Sequence, residues 1–176
     1  MRCSLIALAV QCGSFIPFKH EAMFGIQGQP PLVVKDETDQ FKLRGFIDRV
    51  DRAPGGQIQI IDYKTGGPSP FTNTAIQKGK KLQIPLYALA ARDALHLGEP
   101  VDGFYWHVQH AKPSPFSLGK FKGGAKSAIG LAVGNAWEAV RGARTGRFEP
   151  HPPVEGCPAY CPAAAFCWHR KAGFRG

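Results

Sequence analysis

Asp48, Asp62 and Lys64 are the residues on which chemistry would turn. They lie in the stretch 43–66, LRGFIDRVDRAPGGQIQIIDYKTG. Runs rich in Ile, Val and Phe flank Ala53-Pro54-Gly55-Gly56, a turn composition with glycine free to take positive φ, so an antiparallel hairpin is predicted. Centring its turn on Gly55 pairs Val50 with Ile60 and sets Asp48 across from Asp62. Side chains alternate faces, so Phe46, Asp48 and Val50 share one face with Ile58, Ile60, Asp62 and Lys64. Two like charges opposed on an otherwise apolar face repel, and burying them is costly. A divalent cation is the simplest compensation, since Mg²⁺ takes oxygen ligands and is typically held by one or two carboxylates with substrate phosphate. Lys64, on the same face, would orient or deprotonate an attacking water and offset charge on a phosphate. The chemistry predicted is metal-assisted phosphodiester hydrolysis. On the hairpin alone a second reading stands beside it, a solvated ribbon in which Asp48, Arg49, Asp51, Arg52 and Lys64 are ion-paired.

The elements that would position this group follow from the rest of the chain. Residues 15–25 read as the entry into a first strand, Pro30-Pro31 breaks it, and residues 32–35 join the hairpin in an antiparallel group of three or four strands. Residues 65–79 read as a polar, flexible connection. Residues 80–95, KKLQIPLYALAARDAL, are Leu- and Ala-rich and predict a helix with Pro85 in its first turn, where a missing N–H costs nothing. Gln83 then sits at the helix mouth with Tyr87 one turn later on the same side. Both could reach a phosphate or a water; the alternative is a cap and a core aromatic. Residues 101–110 have strand composition and return beside the hairpin with the helix as crossover. Residues 112–126, KPSPFSLGKFKGGAK, read as a basic loop suited to single-stranded nucleic acid or simply solvated. Residues 127–142 carry helical spacing at Ile129, Val133, Trp137 and Val140 and should pack on the sheet.

A chain of 176 residues suits one domain, 1–176, with a core of its own. Hydrophobic content of 44% and charged content of 20% exclude a disordered chain. A net charge of +9 favours a polyanionic partner, because neutralising phosphates releases counterions, and it suits DNA, RNA or an anionic membrane equally. The apolar run after Arg2 is only about ten residues, far short of the ~20 that span a bilayer, so it is expected to be part of the fold or of a longer protein rather than a signal. Three of the five cysteines, Cys157, Cys161 and Cys167, crowd into the segment 150–170. That spacing suits a metal or cluster site better than a disulfide framework. Either His169 completes a Cys₃His zinc site, or Cys12 or Cys3 returns to close a cluster.

In their order along the chain, GFIDRVD, IIDYKTG, LQIPLY and CPAYCPAAAFC resemble the PD-(D/E)XK nuclease superfamily, in its RecB/AddB-like branch, over residues from about 21 to 170. The resemblance implies an α/β restriction-endonuclease-like core, a mixed sheet with a central antiparallel hairpin flanked by helices and a cysteine-pinned C-terminal tail. It implies that Asp48, Asp62 and the Tyr63 carbonyl hold Mg²⁺ or Mn²⁺, that Lys64 is catalytic, and that Gln83 and Tyr87 support substrate and water. It implies a 4Fe-4S cluster on Cys157, Cys161 and Cys167, with Cys12 the best candidate for the fourth ligand. Glu21 resembles an acidic position that the branch often has before its first strand. A DNA substrate, a role in repair and recombination, a cytoplasmic setting and a helicase partner are expected, the last because these residues hold no GxxxxGK[ST] stretch. The part preceding the first strand is shorter than the family's. The rivals are a catalytically silent DNA-binding module of the same fold and a zinc-binding structural module.

Overall fold

The computed structural model describes residues 7, 8, 12–67, 71–148, 161–163 and 167. The chain divides into two compact units, Met1–Glu138 and Ala139–Gly176. In the first, strands β1 (Ile16–Phe24), β4 (Gly45–Arg52), β5 (Gln57–Lys64), β6 (Glu99–His107) and β7 (Lys112–Ser117) form a five-stranded mixed sheet in the order β1-β4-β5-β6-β7. Strands β2 (Leu32–Lys35) and β3 (Gln40–Leu43) form a separate two-stranded ribbon. Helices α1 (Asn73–Gln77) and α2 (Gln83–Asp93) lie in the crossover between β5 and β6, which pair in parallel, and α3 (Gly124–Arg144) follows β7. This is the mixed α/β architecture expected.

The β4–β5 register has Val50 opposite Ile60, as the turn composition predicts. Ala53 closes the turn through Gly56 N–H to Ala53 O at 2.9 Å, with Gly56 at φ +81°. One face of the sheet takes α2 and the other takes the N-terminal segment, where Leu8 and Cys12 pack on Ile61, Phe104 and Trp106. Helix α2 packs tightly over Gly103. A Cβ there would meet Ile84 Cγ2 at 2.9 Å and the Ile60 carbonyl at 3.1 Å. Gly103→Val is therefore expected to cost about 1–3 kcal/mol through overpacking, read as a thermal midpoint lower by several degrees.

Three local expectations need correction. Residues 32–35 do not join the hairpin's sheet but pair with β3, because Asp36 accepts the N–H groups of Thr38 and Asp39 and turns the chain straight back. The connection 65–79 is not structureless: the Thr72 hydroxyl accepts the Ala75 N–H and caps α1. The basic stretch 112–126 is no open loop, since its first half is β7, an edge strand that accommodates Pro113 and Pro115 because one of its sides needs no ladder donor. Helix α3 does form, with Ile129 and Trp137 buried, and Trp137 packs edge-on against Phe41 of the ribbon at 4.7 Å.

In the second unit α3 is followed by a turn through Gly146, φ +72°, with Arg147 N–H bonding Gly142 O at 2.8 Å. Cys161 and Cys167 are half-buried free thiols. Among the described residues no helix is long and apolar enough to cross a membrane.

Candidate active site

The hairpin ladder ends early. Bridged pairs run from Arg52↔Ile58 to Arg49↔Ile61; beyond them β4 stays with β1 while β5 stays with β6. Asp48 and Asp62 stand at this fork. The Tyr63 N–H, which has lost its ladder partner, instead donates to Asp48 Oδ2 at 2.8 Å. A carboxylate thus replaces a backbone carbonyl where the two strands part.

Asp62 is 2% exposed, and burial, with the charge of Asp48 adding to it, raises its carboxyl above the ordinary range despite the lowering effect of Lys64. Lys64 Nζ forms an ion pair with Asp62 Oδ2 at 2.5 Å. Lys64 Nζ also donates to Gln83 Oε1 at 3.1 Å, and Gln83 Nε2 donates to the Tyr87 hydroxyl at 3.0 Å. Helix α2 can offer these two side chains because Pro85 sits in its first turn and leaves Gln83 at the mouth. Tyr87 is held edge-on by Phe24, centroids 6.0 Å apart. Asp62, Lys64, Gln83 and Tyr87, all singled out by type and spacing, therefore form one connected line beside Asp48.

Two features go beyond the sequence reading. The flanking pairs His20↔Arg49 and Ala22↔Ile47 put Glu21 of β1 opposite Asp48 of β4. Glu21 has φ +46°, and with His20, Asp48 and Tyr63 it lines a cleft of about 340 Å³. A left-handed glutamate inside a strand has no sequence signature, so only the acidic position was legible. The second feature is a buried polar group on the opposite face. Arg49 Nε and Nη2 bond Asp51 Oδ1 and Oδ2 at 2.5 and 2.7 Å, and Arg49 Nη1 donates to the Tyr63 hydroxyl at 3.2 Å. Strand alternation already turned these side chains away from Asp48, but nothing in the spacing told that they would be covered.

Among the described residues no three His, Cys, Asp or Glu side chains converge as a preformed metal cage. What stands ready is a carboxylate pair, the donor set suited to a hard cation that completes its shell with water and phosphate. Cys12 lies on the opposite face from Asp62, buried beside Asp51; burial first and then the Asp51 charge push its thiol up to about 12. Cys157, Cys3 and His169 lie outside the described residues.

A profile of the PD-(D/E)XK nuclease superfamily matches residues 5–168, and the chain belongs to that superfamily. Among curated proteins it is similar to one of the subunits of the ATP-dependent helicase/deoxyribonuclease of several bacteria. It is 36% identical to that of Alkaliphilus oremlandii over 83 residues, 44% of this chain and 7% of the relative. For Alkaliphilus metalliredigens the figures are 34% over 110 residues, 56% of this chain and 10% of the relative. For Clostridioides difficile they are 38% over 89 residues, 48% and 8%. The chain thus matches a tenth or less of the length of these relatives.

Proposed function

We propose that this chain is a Mg²⁺- or Mn²⁺-dependent deoxyribonuclease domain that hydrolyses phosphodiesters in DNA repair and recombination, in a cytoplasmic setting and beside a helicase. The observation that carries the proposal is the fork itself, where Asp48, Asp62 and Lys64 meet at the point where the ladder stops. The names of the relatives support the substrate and the helicase association.

The residues fit a divalent ion. Asp62 is buried, and its carboxyl is raised first by that burial and further by the Asp48 charge beside it, so the two acids form a pair that a divalent ion would neutralise. Asp48 and Asp62 would hold the ion, with the Tyr63 carbonyl as a further ligand. When bound, the ion polarises the scissile phosphate and acidifies a coordinated water. Lys64 would orient the attacking water and offset charge on the phosphate, and Gln83 and Tyr87 fix the direction of its ammonium. The excess of basic residues draws in the DNA backbone.

End-labelled single- and double-stranded DNA incubated with Mg²⁺ or Mn²⁺ tests the reading. Cleavage that chelator abolishes is expected; binding without cleavage under either metal would leave the silent DNA-binding module instead. A 4Fe-4S cluster on Cys157, Cys161 and Cys167 is proposed alongside. Anaerobically purified protein should then be brown and keep its colour in His169→Ala, whereas a zinc site predicts a colourless protein that loses its metal in that variant. Cys12 is proposed as the fourth ligand, and Cys12→Ser should then lose the brown colour.

A further inference from the structure

We propose that the buried Arg49–Asp51 pair, acting through the Tyr63 hydroxyl, is a clamp that sets the spacing of Asp48 and Asp62 across the fork. Arg49, Asp51 and Tyr63 are then positioning residues for the reaction. The inference rests on the nuclease reading above and adds to it the part that holds the two acids in place.

Past the Arg49↔Ile61 pair no backbone bridge joins β4 to β5, so nothing in the ladder fixes how far Asp48 stands from Asp62. Two side-chain bonds fix it instead, one on each face. On the front, Asp48 Oδ2 accepts the Tyr63 N–H at 2.8 Å. On the back, Arg49 Nη1 donates to the Tyr63 hydroxyl at 3.2 Å. Asp48 and Arg49 are adjacent in β4, and Tyr63 lies between Asp62 and Lys64 in β5. Neighbouring residues of one strand therefore grip the same residue of the other from opposite sides, closing a ring around the fork.

Arg49 can aim that bond because its plane is fixed. Its Nε and Nη2 engage both oxygens of Asp51, a bidentate pairing that leaves Nη1 directed at the hydroxyl. Asp51 is fully buried, and Gln59 Nε2 approaches its Oδ2 at 3.4 Å. Stability does not account for such a group, since well-packed apolar residues commonly serve as well as a buried ion pair. A rigid fork that reaches the residue between Asp62 and Lys64 has a use that apolar side chains could not supply.

The test is Tyr63→Phe, which removes one hydroxyl and leaves both strands, the ion pair and the ring packing. Mn²⁺ affinity is measured directly on DNA-free protein by calorimetry or by loss of the free-ion EPR signal, with cleavage followed against Mn²⁺ concentration. The clamp predicts an Mn²⁺ dissociation constant about tenfold weaker, as for other groups that orient metal ligands. The half-activating Mn²⁺ concentration should rise by the same factor, with the rate largely restored at saturating metal and the thermal midpoint shifted by no more than about 4 °C. Arg49→Lys, which keeps the charge and loses the fork, should show the same loss of affinity. Unchanged Mn²⁺ affinity in Tyr63→Phe, with binding by the unaltered protein that Asp62→Asn abolishes, would overturn the clamp alone. No Mn²⁺ binding by the unaltered protein would overturn the nuclease reading with it.

Discussion

Asp62→Asn is expected to raise the thermal midpoint of the metal-free protein at neutral pH while lowering DNA cleavage by about 10³-fold. The two effects have opposite signs and one cause. Burial raises the Asp62 carboxyl above its ordinary value of 3.8, and the nearby Asp48 charge raises it further. A carboxyl raised on folding contributes stability that is fully present below its unfolded pKa and is lost as pH climbs through the folded one. The unaltered protein should therefore lose stability relative to Asp62→Asn from about pH 4 upward, with the two converging in acid. Thermal unfolding across that range reads the gap. Saturating Mn²⁺ should close or reverse it, because an ion at a hundred times its dissociation constant stabilises the folded state by about 2.7 kcal/mol. The asparagine variant, with no anion to offer, should gain little from the metal and cut poorly at any concentration of it.

Lys64→Met is expected to cost about 10²–10³ in the single-turnover rate at saturating metal, the usual loss when a charge-stabilising donor is removed. The ammonium has a narrow set of contacts: Asp62 Oδ2 at 2.5 Å, Gln83 Oε1 at 3.1 Å and the Tyr105 ring at 5.5 Å. None of these is needed to hold a cation, and Lys64 itself competes for Asp62. Mn²⁺ should consequently bind Lys64→Met at least as tightly as the unaltered protein. Retained binding with lost rate separates Lys64 from Asp62, whose replacement should lose both.

The line Asp48, Asp62, Lys64, Gln83 and Tyr87 was legible in the sequence because local rules determine it. A Pro-Gly-Gly turn fixes the register of a short hairpin, two-residue alternation fixes the face, and Pro85 fixes where α2 begins. What escaped depended on partners distant in sequence or on elements too short to show a period. Helix α1 spans five residues and is announced only by the Thr72 cap. Strand β7 carries two prolines, which tell against a central strand and are admitted here by its place at the edge. The strand at 32–35 reads as part of the main hairpin's sheet because Leu43, the end of β3, runs almost directly into Gly45, the start of β4. The covering of Arg49 and Asp51 depends on the N-terminal segment around Leu8 and Cys12 packing on that face. That contact belongs to tertiary structure, and no alternation of polar and apolar residues encodes it.

The decisive experiment is anomalous diffraction at the manganese edge, from crystals of the unaltered protein soaked in Mn²⁺. A peak is expected at the fork within about 2.1 Å of a carboxylate oxygen of both Asp48 and Asp62. A fully soaked crystal with no peak there, or with manganese bound only at other carboxylates, would contradict the carboxylate pair as the metal site.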